Sequence, residues 1–225
     1  MERHLDTELQ RLNTELLRMA TLTETAIVKS IEALRLQDKK LATEVIDSDI
    51  QINALENVIE EIAIEMLALF QPMARDLRFI TTGMKVNAEL ERIADLAANV
   101  SYRTREISDE KTTLAPMDDL MDLSNIARTM VKQTIDSFVN RDEAMALKVI
   151  ASDDDSNTLR NKIMEDLIKD HMEKDPTSAS QAVSLLLAAR DLERICDHAT
   201  NIAEDVIYMV QAKVVKHHPE RLLED

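Results

Sequence analysis

Apolar residues recur along the first seventy positions at steps of three and four, the spacing that puts side chains on one stripe of a helix. Leu5, Leu9, Leu12, Leu16, Met19, Ala26, Ile27, Ile31 and Leu34 form such a stripe within residues 5–36 and predict a first long helix. The polar run QDKK at 37–40 interrupts it, and a second stripe follows through Leu41, Val45, Ile46, Ile50, Leu55, Ile59, Ile62, Met66 and Leu69. Gln71-Pro72 ends that helix, because proline disfavours helical geometry in the residue before it. A third helix is predicted over about 74–106, followed by ISDEKTTLAPMDD at 107–119, the longest polar, proline-containing stretch of the interior and the expected joint of the chain.

Beyond the joint the pattern starts again at a fixed shift of 104 residues. Ile31 falls on Ile135, Asp38 on Asp142, Val45-Ile46 on Val149-Ile150, Ser48-Asp49 on Ser152-Asp153, Asn53 on Asn157 and Pro72 on Pro176. The third helices align at a shift of 102, Glu91 on Glu193, which predicts that the second copy has lost two residues after its proline. The expected fold is therefore all-α: a tandem repeat of two three-helix bundles, 1–108 and 109–225, with six long helices and antiparallel neighbours.

Composition agrees: one Gly, no Trp and 2% aromatic residues leave little for tight turns or strands. The most apolar stretch, AVSLLLAA at 182–189, falls short of the roughly 20 residues that span a bilayer, so it is expected as a buried helix and no membrane insertion is expected. The start, MERHLDTELQ, is charged where an export signal needs an apolar core, and Cys196, the single cysteine, allows no internal disulfide. Together these favour the cytoplasm. A formal charge of −16 argues against nucleic acid as partner and suits cations or basic protein surfaces, although it also serves solubility alone.

Within the third helix of each copy lie ELERIADLAANV at 89–100 and DLERICDHATNI at 191–202. Steps of four put Glu91, Asp95 and Asn99 on one stripe, opposite Ile93, Leu96, Ala97 and Val100; Glu193, Asp197, Asn201 and Asp205 form the second stripe. Such a stripe is ordinarily a solvated face. Like charges four residues apart repel, however, and a bound cation would turn that repulsion into affinity. Folding back about Pro72 sets Asp95 level with Asp49 on the preceding helix, and folding about Pro176 sets Asp197 level with Asp153, Asp154 and Asp155. Carboxylates meeting from neighbouring helices suit hard or borderline cations. Candidate metal ligands are thus Glu91, Asp95 and Asp49 in the first copy and Glu193, Asp197 and Asp153 in the second, with Asn99, Asn201 and Asp205 as possible additions. His198 points off its stripe, and His217 and His218 read as solvent-exposed.

FQPMARDLRFITTGMKVNAELERIADLAANV at 70–100, ARDLERICDHATNIAED at 189–205 and IDSDIQINALENVIEEIA at 46–63 resemble the signature segments of the PhoU family of phosphate-signalling proteins. The resemblance implies a cytoplasmic, dimeric, non-enzymatic negative regulator linking a phosphate ABC transporter ATPase to a sensor histidine kinase. It also implies metal at the two Glu-x-x-x-Asp motifs, iron, manganese, magnesium or zinc being the candidates. Two departures stand out: Ala94 and Cys196 occupy positions where the family often has glycine, and Asn53 one where aspartate is common. Two alternatives are kept beside this reading, a helical scaffold without physiological metal and a carboxylate-bridged di-iron oxidoreductase. The second needs Glu-x-x-His pairs, and none of the five histidines has a Glu three residues before it. Nucleotide hydrolysis lacks support too, since Gly83 is the only glycine and phosphate-cradling loops need several.

Overall fold

The computed structural model describes residues 2–107 and 116–214, so His217, His218 and the expected boundary at 108/109 lie outside the described residues. Six long helices account for nearly all of it: α1 (Glu2–Leu36), α2 (Lys39–Phe70), α3 (Ala74–Glu106), α4 (Met117–Asn140), α5 (Glu143–Asp166) and α6 (Ala179–Gln211). They form two antiparallel three-helix units in tandem, as the periodicity predicts.

The duplication reaches the turns. Gln37 and Arg141, one repeat apart, both adopt left-handed backbone (φ 54° and 55°) and end α1 and α4. Asp38 and Asp142 follow, their N–H groups donating to the carbonyls of Ala33 and Ser137 at 2.9 Å in both cases. The same two aspartates then cap the next helices, Asp38 accepting from the Lys40 and Leu41 N–H groups and Asp142 from that of Met145. This double use of one residue explains why two-residue turns suffice. The α2–α3 and α5–α6 joints differ. In the first copy only Gln71–Met73 intervene, whereas α5 runs into a π-helical turn at Leu167–Met172 and a single 3-10 turn at Pro176–Ser178 before α6 begins. The change in repeat spacing falls at this joint.

One continuous apolar core runs through both copies. Phe79 on α3 stacks on Phe138 on α4 with ring centroids 5.0 Å apart, and both are almost wholly buried. A stacked pair of this kind contributes about 0.5–1.5 kcal/mol beyond its buried area. The central seam is between α3 and α6. Arg78 Nε donates to the Met209 carbonyl, Lys85 pairs with Asp205 and Glu89 meets His198, so partners retreat along α6 as they advance along α3 and the helices are antiparallel. Ala94 and Cys196, one repeat apart, are both buried, and the Cys196 thiol faces Ser156 of α5. The 182–189 stretch is not buried all round: Ala182, Leu185 and Ala188 are buried but Val183 is 44% exposed, because α6 is covered on one face only. No described helix is long and apolar enough to cross a membrane.

Candidate metal centre and family

In the first copy, α2 and α3 are held side by side by the short Gln71–Met73 turn, and that pairing sets Asp49 and Glu56 of α2 against Glu91 and Asp95 of α3. The apolar residues between the acids fix the geometry: Ile93, Leu96, Ala97 and Val100 are buried, leaving Asp95 and Asn99 outside and Glu91 half-buried. Each carboxyl feels its neighbours. Burial pushes Glu91 above the usual carboxylate range, reinforced by Asp95, Glu56 and Asp49. Asp95 is raised by burial and then by Asp49, and Glu56 by burial, Glu60 and Asp95, with Arg92 opposing. Asn53 donates to Asp49 Oδ2 at 2.9 Å, while Asp49 Oδ1 and Asn53 Oδ1 are buried with no hydrogen-bond partner among the described residues.

The second copy repeats the arrangement on α5 and α6. Asn157 donates to Asp153 Oδ2 at 3.1 Å, and Asp153 Oδ1 is again buried without a well-formed hydrogen bond, the nearby Thr200 hydroxyl acting to lower the Asp153 pKa. Asp153 is raised by burial, Glu193 and Asp154, and Asp197 by burial, Glu193 and Asp153. One position breaks the symmetry. Arg160 stands where the first copy has Glu56, and its Nη2 donates to Glu193 Oε1 at 2.9 Å. The second cluster therefore carries its own cation.

Among the described residues, no three His, Cys, Asp or Glu side chains close around a point that could hold a metal ion. The acids are within electrostatic reach of one another but not in a coordination shell, as expected of like charges with nothing between them. The donor set still fits a hard cation. Two repeats present the same orphaned aspartate oxygen, an acceptor whose burial costs free energy until a donor or a cation meets it, and Glu91 and Asp197 are held at raised pKa by burial first and by repulsion from their neighbours second.

The other candidates separate. Asn99 lines a cleft between α3 and α6 beside Asp95, with Arg92, Arg194 and His198. Asn201 is half-buried one turn beyond Asp197. Asp205 does not belong with the acids of α5: its carboxylate faces α3 and accepts from Lys85 Nζ at 2.6 Å, because the α6 stripe drifts toward the seam over its last two turns. His198 is likewise taken by Glu89, a buried acid that also accepts from Arg92 Nη1 at 3.0 Å. Cys196 is fully buried, and burial pushes its thiol up to about 12. Glu56 and Arg160 were missed because the reading took from α2 and α5 only the aspartates level with Asp95 and Asp197. Continuing the helical spacing along α2 from Asp49 through Asn53 to Glu56, and along α5 from Asp153 through Asn157 to Arg160, would have found both.

A family model for the PhoU domain matches this chain twice, at residues 16–104 and 120–206, each match taking in one of the two clusters. The chain belongs to the PhoU family. Full-length PhoU relatives include a phosphate-specific transport system accessory protein PhoU homolog of Aquifex aeolicus, 39% identical over 210 residues (93% of this chain, 94% of that protein). PhoU homolog 1 of Thermotoga maritima is 32% identical over 213 residues (95% and 91%). The crystal structure of PhoU from Pseudomonas aeruginosa superposes with a TM-score of 0.88 at 34% identity, covering 92% of this chain and 99% of that one. PhoU of Streptococcus pneumoniae, at 23% identity and a TM-score of 0.87, shares the fold.

Proposed function

We propose that this chain is a regulatory accessory protein of phosphate uptake: a rigid, non-enzymatic, cytoplasmic adaptor, acting as a homodimer between a phosphate ABC transporter ATPase and a sensor histidine kinase. The observation that carries the reading is family membership along nearly the whole chain, with relatives named as accessory proteins of phosphate-specific transport.

The residues suggest how such an adaptor would be built. Asp49, Glu91 and Asp95, with Glu56 beside them, would hold one divalent or iron-type ion, and Asp153, Glu193 and Asp197 another. A bound ion would supply positive charge that offsets both the burial and the mutual repulsion raising these carboxyl groups. The chain's own part is positional: Asn53 and Asn157 each hold one oxygen of an aspartate, while the α2–α3 and α5–α6 packing fixes the opposing acids. The acidic face so presented complements basic patches on a partner.

The test is elemental analysis after dialysis, together with binding to purified transporter ATPase and to the kinase's soluble region, for Glu91→Ala/Asp95→Ala and Glu193→Ala/Asp197→Ala. Loss of roughly the metal of one repeat per double variant, with weakened partner binding, is expected. Metal content unchanged in both variants would remove the ions from the account and leave a metal-free helical scaffold. Failure of the wild type to bind either partner would overturn the adaptor reading.

A further inference from the structure

An adaptor needs two contact surfaces, and one end of the bundle differs in character from the acidic clusters. That end is formed by the α2–α3 turn, the α4–α5 turn and the last turn of α6. Met73 in the first of these turns is 81% exposed, Leu69 just before it 72%, and Leu77 one turn into α3 41%. Apolar side chains this exposed on a turn and its flanks contribute nothing to the core. Beside them stand Arg75, Arg78 and Arg141. Arg141 lies over the Phe79 ring, 5.0 Å from its centroid, and its charge is opposed first by partial burial and then by the nearby Arg75 guanidinium. Arg78 spends its Nε on the Met209 carbonyl. None of the three has a carboxylate within ion-pair distance among the described residues, in a chain of net charge −16, and Asp76 is the one acid felt by Arg141.

Asp95 lies about 30 Å further along α3 than Arg75, several times the ~8 Å Debye length of physiological salt, so the acidic clusters do not neutralise this end. Of the other negative groups near the turns, Asp142 caps α5 and Glu143 accepts from Gln211, which leaves Asp76 as the acid that offsets part of the positive charge here.

We propose that this end is a docking surface for an acidic, apolar segment of a partner protein, a partner carboxylate entering between Arg75 and Arg141 while leucine-type side chains cover Leu69, Met73 and Leu77. The pairing follows from charge complementarity: two guanidiniums held together lower each other's stability until an anion joins them, and a planar fork favours carboxylate. The surface rests on the adaptor reading only for who the partner is.

The experiment uses short synthetic peptides alternating Glu with Leu, matched Lys/Leu and Ser/Gln peptides, and the full chain. The wild type is expected to bind Glu/Leu peptides preferentially, more weakly at high salt, with Arg75→Glu, Arg75→Glu/Arg141→Glu and Met73→Asp each losing about tenfold or more, the effect of ~1.4 kcal/mol. Glu91→Ala/Asp95→Ala should retain binding. Arg75→Glu is included because Arg75 is exposed and its reversal leaves the Arg141 turn intact. Binding that survives the reversals, equal binding of Lys/Leu peptides, or no binding at all overturns the proposal. A dimer that Arg75→Glu converts to monomer in sedimentation also overturns it, by assigning the surface to a second copy. If the Glu/Leu peptides bind as expected but neither the purified ATPase nor the kinase does, the surface stands and the adaptor reading falls.

Discussion

Replacing Arg160 separates the two clusters. Its guanidinium holds Glu193 at 2.9 Å with both side chains largely covered (27% and 11% exposed), so the contact is a charge-assisted hydrogen bond worth about 1.5–3 kcal/mol. A cation entering the second repeat must displace that bond or share Glu193 with it. Arg160→Gln keeps polarity and much of the side-chain length while removing the charge. It should therefore raise the affinity of the second cluster by roughly tenfold to a hundredfold, at ~1.4 kcal/mol per factor of ten. Calorimetric titration with manganese, in a Glu91→Ala/Asp95→Ala background so that only the second cluster is read, measures the effect. The companion change, Glu56→Gln, should weaken the first cluster in the otherwise unaltered chain. Unchanged or lower affinity in Arg160→Gln would show that Glu193 takes no part in holding the ion and would refute the reasoning.

Three further outcomes are expected. Glu91, Asp95, Asp153 and Asp197 all have raised folded-state pKa values, so the folded protein binds protons more tightly than the unfolded chain and the metal-free protein loses stability as pH rises upward from the ordinary values of 3.8–4.5. Thermal melts should show Asp95→Asn/Asp197→Asn flattening that decline, and added manganese opposing it at neutral pH. Gly83→Ala should stabilise by about 0.5–1 kcal/mol in urea titrations, because a Cβ there meets Leu12 and Leu16 side-chain carbons at 3.4 Å, an ordinary contact, and a mid-helix glycine is costly. Cys196 should resist an aromatic disulfide reagent in the native protein and react only on unfolding, since its thiol is fully buried and pushed up to about 12.

The helices were legible because their stripes are long and their stops are physical: proline at 72, and an aspartate at 38 and 142 able to end one helix and cap the next. The α2–α3 level match placed Asp49 against Asp95 correctly because a three-residue turn leaves little freedom of register. Asp205 shows the limit of that reasoning. A stripe traced in steps of four drifts around a helix of 3.6 residues per turn, so after three steps it had moved from the α5 side to the α3 seam and met Lys85. The asymmetry of the clusters was also in the sequence, as Glu56 against Arg160, but its consequence needed the packing that sets Arg160 against Glu193. His198 illustrates a different gap: its partner, Glu89, lies 109 residues away and belongs to the other copy, a pairing that no local spacing reveals.

The most direct test is anomalous diffraction from crystals of the protein loaded with manganese or iron. The account predicts peaks between α2 and α3, within coordination distance of Asp49, Glu91 and Asp95, and weaker ones between α5 and α6 at Asp153, Glu193 and Asp197. Absence of any peak at either cluster, at metal concentrations that saturate the protein in solution, would contradict it.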